Sequence, residues 1–389
     1  MLNRTPGFFE YDGMMSGGKS WERSEMIANG QFAAEMLSAS AHGLASITAD
    51  RLISRRPQVL ARYGSDARSA WRDSTLTRIG YLVAAMSTGT PAVLAEQLSW
   101  ARTAHEARGG PDAAADFDEA MRLLAQVLRE ELPGDPGNLA AQYVELGLAP
   151  QAMPRNEAVL ATPQRRLVAD FLLSILEGDR RKASRIVLDA VQPRGDRSAL
   201  TVRQVYLDVL IPAQIELGRM WHINEIGVAE EHFATATTQL IMSQLYSHLP
   251  QGPSNGKVVV AASVEGNAHD VGVRMLADLL ESEGWRAVYL GASVPGGDLA
   301  SSVDRYRADL VALSAGLGSQ LPALASAVES IRSLPRPVKV LVGGGAFLGV
   351  DPRAAGGEDP LWRRIGADGF AADLDGAVAQ AGRLVARTP

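Results

Sequence analysis

The chain has 389 residues, 46% hydrophobic and 21% charged, enough to bury large cores and to fill two or three domains. Its net charge of −6 leaves no basic face able to neutralise a run of phosphates, which argues against direct nucleic-acid binding. With no cysteine there is no disulfide framework, no thiolate metal site and no thiol to tether a prosthetic group. The first twenty residues lack a basic start followed by an apolar run, and no apolar stretch approaches twenty residues, so a cytoplasmic protein without membrane contact is expected.

After a Gly-rich, aromatic leader over 7–18, apolar residues recur at helical spacing over 26–53, 65–86, 91–107, 111–132 and 139–146. Gly64, Thr88-Gly89-Thr90-Pro91, Gly109-Gly110-Pro111 and Pro133-Gly134-Asp135-Pro136-Gly137 supply the breaks. An all-α domain over 1–155 follows. Trp71, Ser74, Arg78 and Tyr81 fall near one face of one of its helices, and Trp100 and His105 lie on the next. Such a face suits amphipathic packing with arginines reaching water, or a planar ligand whose carboxylates pair with arginine. From spacing alone, His42 and His105 read as ordinary surface or core histidines rather than ligands.

Ala152 to Asn156 reads as a linker. Helices are expected over 163–177, 180–190, 201–221 and 228–247, with short connections that suit an antiparallel four-helix bundle over 156–250. After the linker at 250–256 the pattern changes to apolar, β-branched strands over 257–264, 286–290, 310–314, 339–342 and 369–372. They alternate with helices over 271–283, 297–307, 321–334, 352–364 and 374–385. This is a flavodoxin-like α/β domain over 256–389, with a parallel sheet covered on both faces. Ligands in such folds bind beyond the carboxyl ends of the strands, which places the loops at His269, Ser314 and Gly343 on one edge.

Those loops read Asn267-x-His269-x-x-Gly272, Ser314-Ala315-Gly316 and Gly343-Gly344-Gly345. In order and spacing they resemble the corrinoid-binding pattern Asp-x-His-x-x-Gly, Ser-x-Leu and Gly-Gly. The resemblance implies that His269 replaces the nucleotide base below cobalt, with Asp270 and Val271 completing its loop. Ser314 and the glycines at 343–345 would line a slot for the released nucleotide tail. Two positions depart. Asn267 stands where a carboxylate is usual, leaving at best a neutral amide acceptor as partner for the imidazole and a weaker electron donor to cobalt. Gly316 stands for Leu, which loosens the wall of the tail slot.

Upstream, Trp221-His222 is followed by Val228 and then Glu231-His232, with nine residues between the Trp and the Glu-His pair. This resembles the cap bundle of the cobalamin-dependent light sensors. The resemblance implies that Trp221, Val228, Glu231 and His232 line a pocket for the adenosyl group, with His222 placed to bind cobalt after illumination. The region 71–100 is similar to the helical part that precedes the cobalamin module in photocobilins, which pair cobalamin with biliverdin. By that resemblance Trp71, Arg78, Tyr81, Trp100 and His105 would contact a bilin, held noncovalently because no cysteine is present.

The expectation is a photoreceptor, not an enzyme, that binds adenosylcobalamin and biliverdin. Light would change its homo-oligomeric state and signal to a protein partner. The main alternative is a corrinoid carrier of a methyltransferase system, which shares the His269 loop but has no reason to keep the Trp221 to His232 pocket. A mutase subunit lacks its substrate barrel here, and an interaction protein with a fortuitous loop would hold no corrinoid.

Overall fold

A computed structural model describes residues 20–149, 162–192, 199–347 and 359–386. The leader at 7–18, the linker Ala152 to Asn156, the turn at 193–196 and most of the helix expected over 352–364 lie outside the described residues. The first domain contains α1 (Ser20–Arg55), α2 (Gln58–Tyr63), α3 (Ala67–Ser87), α4 (Pro91–Glu131) and α5 (Asp135–Gly147). Helix α3 buries Trp71, Thr75, Arg78, Ile79 and Leu82, a spacing that keeps one face against its neighbours. It packs on α1 and α4. The two helices expected over 91–107 and 111–132 are one kinked element: Gly110 adopts φ 71 and Pro111 follows it. Proline lacks the N–H that would continue the ladder, and glycine takes the left-handed conformation without penalty.

The bundle consists of α6 (Arg165–Leu176), α7 (Arg180–Ala190), α8 (Val202–Val205), α9 (Ile211–His222) and α10 (Val228–Leu245), with α8 and α9 forming one rod across a π-helical turn at Tyr206–Leu210. Pro212 explains the turn. It cannot donate to the Asp208 carbonyl four residues back. The Thr162 hydroxyl donates to that carbonyl instead, at 2.6 Å. A capping box between Thr201 and Gln204 starts the rod.

The third unit comprises β1 (Val258–Val264), α11 (Val271–Ser282), β2 (Arg286–Val294), α12 (Gly296–Tyr306), β3 (Leu310–Ser314), α13 (Leu321–Arg332), β4 (Lys339–Gly343), α14 (Leu361–Arg364), β5 (Gly369–Ala371) and α15 (Leu374–Leu384). The strands pair in parallel in the order β2-β1-β3-β4-β5, the flavodoxin-like order. Strand β2 runs four residues beyond its expected end, and its register against β1 slips between Tyr289 and Gly291. Strand β1 faces two cores. Val259 and Ala261 pack with the bundle, whereas Val260, Ala262 and Val264 share a core that continues into the first domain. Among the described residues no helix is long and apolar enough to cross a membrane.

Candidate functional site

The turn after β1 places His269 exposed at the carboxyl edge of the sheet, beside a fully buried Asn267. Asn267 ties three segments together. Its Oδ1 accepts the His269 backbone N–H at 3.0 Å, its Nδ2 donates to the Ser314 carbonyl at 3.0 Å, and its carbonyl accepts the Ser293 N–H. The expectation that Asn267 partners the imidazole is therefore corrected: it holds the backbone of the loop. The Ser263 hydroxyl donates to the His269 carbonyl at 3.1 Å.

Gly316 lies beneath the histidine. A Cβ there would come 2.9 Å from Asn267 Oδ1 and 3.1 Å from His269 Nδ1. The two departures from the motif thus touch each other, and the missing side chain at 316 gives Asn267 and the imidazole their room. The glycine run serves a similar closeness. Gly344 has φ 105, and a Cβ there would lie 2.3 Å from the Ala315 carbonyl oxygen; one at Gly345 would lie 2.5 Å from that of Gly316. The loops after β3 and β4 consequently meet backbone on backbone, with Ala346 N–H donating to Ala315 O. Gly343 continues β4 in register with Ser314. A Cβ at Gly272 would meet nothing, so the start of α11 is open.

Asp270 joins this loop to the bundle. It accepts from Gln239 Nε2 of α10 at 3.1 Å and from the Tyr289 hydroxyl of β2, and burial with the adjacent carboxylate raises the Tyr289 pKa. Arg274, one turn into α11, donates to the Gln239 carbonyl and to Ser243. Val271 is half-buried against the same core.

Trp221 and His222 end α9, while Val228, Glu231 and His232 begin α10 beyond a corner anchored by Ile226. Val228 and His232 are exposed, and Glu231 bridges His232 Nδ1 at 2.6 Å and the Thr235 hydroxyl at 2.9 Å. His222 is buried and turned to the first domain: its ring stacks on Trp100 with centroids 4.0 Å apart, and its Nε2 lies 2.7 Å from the Trp100 carbonyl. Burial lowers its pKa.

The five aromatic and cationic residues singled out in the first domain divide into two groups. Trp71 stacks on His105, which stacks on Phe117, and Arg78 sits over the Phe117 ring. Burial lowers the His105 pKa to about 4 and that of Arg78 to about 10. Tyr81 instead meets the loop after β3 at Ser319, and Trp100 meets the cap. His42 is exposed. Around the first group Trp71 Nε1, Ser74 Oγ, Thr75 Oγ1, Arg78 Nε and Gln97 Oε1 are buried without hydrogen-bond partners among the described residues, an unusual concentration of unmet polarity.

Sequence reasoning missed Gln320, whose Oε1 accepts from Gly316 N–H and Leu317 N–H while its Nε2 donates to Gly266 O. With Leu317, which has no side-chain acceptor, at the helix start, no capping signature in the sequence marks Gln320. Arg108 was also missed; it donates to the Trp221 and His222 carbonyls at 3.3 Å, a contact across more than a hundred residues with no local signature.

These features fit a corrinoid. The imidazole of His269 has no hydrogen-bond partner among the described residues and stands at the ligand edge. Among those residues no group of three or more His, Asp or Glu side chains is placed to hold a metal ion. Models described as B12 binding domain match residues 257–359 and 167–246. The dimethylamine corrinoid protein of Methanosarcina barkeri is 30% identical over 185 residues, covering 44% of this chain and 82% of that protein. The HTH-type transcriptional repressor CarA of Myxococcus xanthus is 28% identical over 228 residues, covering 58% of this chain and 70% of the repressor. The solved monomethylamine corrinoid protein of Methanosarcina barkeri is similar at 17% identity and a TM-score of 0.47, covering 57% of this chain and 99% of that structure. The chain belongs to the cobalamin (B12)-binding protein family.

Proposed function

We propose that this protein is a light sensor, not an enzyme, holding adenosylcobalamin between the bundle and the carboxyl edge of the sheet, and biliverdin noncovalently in the first domain. The observation that carries the reading is the α9–α10 corner. Trp221 ends α9, and Val228, Glu231 and His232 lie in the first turns of α10, a set that a simple carrier would have no use for. Bound adenosylcobalamin supplies a cobalt–carbon bond that visible light breaks. His269, whose loop Asn267 fixes and whose imidazole Gly316 leaves room for, would hold the cofactor. Glu231 offers an acceptor to the adenosyl group, and Trp221 and Val228 supply apolar contact. Losing those contacts alters the preference of the bundle for its docked position, since a ligand shifts an equilibrium only through its differential contacts. A change of homo-oligomeric state read by a partner protein is the output.

Arg78 supports the bilin. It is a buried cation that no carboxylate pairs among the described residues, beside Trp71 and unmet polar atoms. A planar ligand with propionates would satisfy both its charge and the donors. The dimethylamine corrinoid relatives favour a second reading, that of a methyl carrier. Absorption spectra after dark reconstitution with adenosylcobalamin and biliverdin, before and after green and red light, test both. Bleaching of the cobalamin bands together with a red-absorbing bilin band is expected. A spectrum unchanged by light, with methyl transfer from methylcobalamin to an acceptor system, refutes the sensor.

A further inference from the structure

The first domain touches both the α/β unit and the bundle, between which the cofactor is proposed to lie. On the sheet side, Tyr81 bonds Ser319, Val93 lies so close to Gly318 that a Cβ there would come within 2.5 Å of it, and Arg364 donates to Thr90 at 2.5 Å. A continuous apolar core joins the two domains behind these contacts. Helix α4 is thereby fixed to the α/β unit. On the cap side the same helix presents Trp100 and Arg108 to the end of α9. The Trp100 ring covers the His222 ring with 9° between planes and lies 5.7 Å from Trp221, while the Arg108 guanidinium sits over Trp221 and donates to the last two carbonyls of the helix. Those carbonyls lie at the negative end of the helix, and although the Asn224 N–H also donates to Trp221 O, a guanidinium is well matched to them.

The bond at Nε2 has a chemical consequence. A carbonyl oxygen only accepts, so Nε2 must donate to Trp100 and therefore carries the proton. In that tautomer Nε2 has no lone pair to offer a metal. We infer that Trp100 and Arg108 are positioning residues for His222: they hold the cap histidine on α4, away from the proposed cofactor position and protonated at Nε2, and so set how readily the α9 corner leaves its place. The geometry of the contact is independent of the proposed light response; only its consequence for the cofactor rests on that reading.

Hydrogen exchange of the full chain without cobalamin tests the contact directly. In Trp100→Leu, amides over 219–224 are expected to exchange about threefold to tenfold faster, matching the loss of one aromatic stack, and in Arg108→Gln about tenfold or more faster, matching the loss of a charge-assisted bond. Arg108→Lys should restore part of the protection. Exchange in β1 should stay as in the wild type, which separates release of the corner from misfolding. In chain loaded in the dark with adenosylcobalamin, Trp100→Leu should then reach its final illuminated spectrum faster by a similar factor, and not when His222 is also replaced by alanine. Unchanged exchange over 219–224 in both variants overturns the inference. So does faster exchange with an unchanged rate of photoproduct formation, which would leave the contact merely structural. A wild-type chain with no light response refutes the proposed function instead, and a His222-dependent spectrum on hydroxocobalamin, unaltered by Trp100→Leu, would then overturn the positioning role.

Discussion

Supplying the carboxylate of the corrinoid-binding pattern by Asn267→Asp should destabilise this chain. Asn267 is fully buried, and its Nδ2 donates to the Ser314 carbonyl at 3.0 Å. An aspartate would place an oxygen against that carbonyl oxygen, and ionised it has no proton to share. Leaving a buried acceptor unsatisfied costs about 1–3 kcal/mol. The alternative is to keep the carboxyl protonated so that its O–H donates to Ser314, which at pH 7, some three pH units above the ordinary aspartate value, costs about 4 kcal/mol. The group takes the cheaper course, so its folded pKa lies above the unfolded one. The native state then binds the extra proton between those two values, and stability falls as pH rises through that window and levels off above it. Urea melts of cobalamin-free wild type and variant should therefore differ by roughly 1.5 kcal/mol at pH 5 and by about 3 kcal/mol at pH 8. A variant as stable as the wild type at pH 8, or a penalty equal at both pH values, would show that Asn267 is not the staple described.

Replacing His269 with alanine should abolish the spectral signature of cobalamin bound without its nucleotide base; an identical spectrum refutes its role as lower ligand. Gly316→Leu, whose Cβ would fall 3.1 Å from His269 Nδ1, should weaken dark cobalamin binding at least about tenfold by the steric cost of overpacking, and equal affinity in a titration would deny that Gly316 seats the imidazole. Arg78→Met should stabilise the cobalamin-free chain by roughly 1 kcal/mol through relieved desolvation, while removing the bilin band on reconstitution; a destabilised variant that keeps the band sinks the assignment. His105, held near pKa 4 by burial and then by Arg78 and Arg108, stays neutral in the fold. The unfolded chain takes up its proton first, so stability is full above about pH 6.5 and is lost as pH falls from there toward 4. A His105→Gln variant should lack that part of the acid slope, and matching pH–stability curves would contradict the burial argument.

The strands and helices of the α/β unit were legible because alternation between apolar runs and amphipathic stretches is a local property. The same holds for the edge on which His269, Ser314 and Gly343 meet, which follows from parallel topology alone. What a single residue does once there was not legible. Asn267 was read through the motif as the imidazole's partner, but its amide reaches Ser314, 47 residues away, and only the pairing of β1 with β3 brings the two together. Likewise the faces of α3 and α4 were seen as one aromatic and cationic surface, whereas Trp71 and His105 turn inward and Tyr81 and Trp100 contact other domains. Helical spacing gives the angle of a residue about its own axis and says nothing of which neighbour waits there.

The distinction between sensor and carrier comes down to what it costs to lift the bundle. A carrier must offer the upper face of its cofactor to different partners in turn, so its cap needs a low and reversible cost of opening. Here the bundle is held at three places. Gln239 and Arg274 join the bundle to the His269 loop, Tyr206 donates to Asp278 at 2.8 Å across the bundle–α11 interface, and Trp100 with Arg108 grips the corner from the first domain. Each contact is individually worth about 0.5–1.5 kcal/mol, and opening must break several at once. Such a cap suits a protein that moves once on a large input of energy, which a photon provides, better than one that must open at every turnover on thermal energy alone. The comparison of opening rates in cobalamin-free and cobalamin-loaded chain, read from exchange at the end of α9 in the dark, decides the point. Frequent dark opening of the loaded cap, on the timescale of a catalytic cycle, would favour the carrier; opening confined to the illuminated chain would favour the sensor.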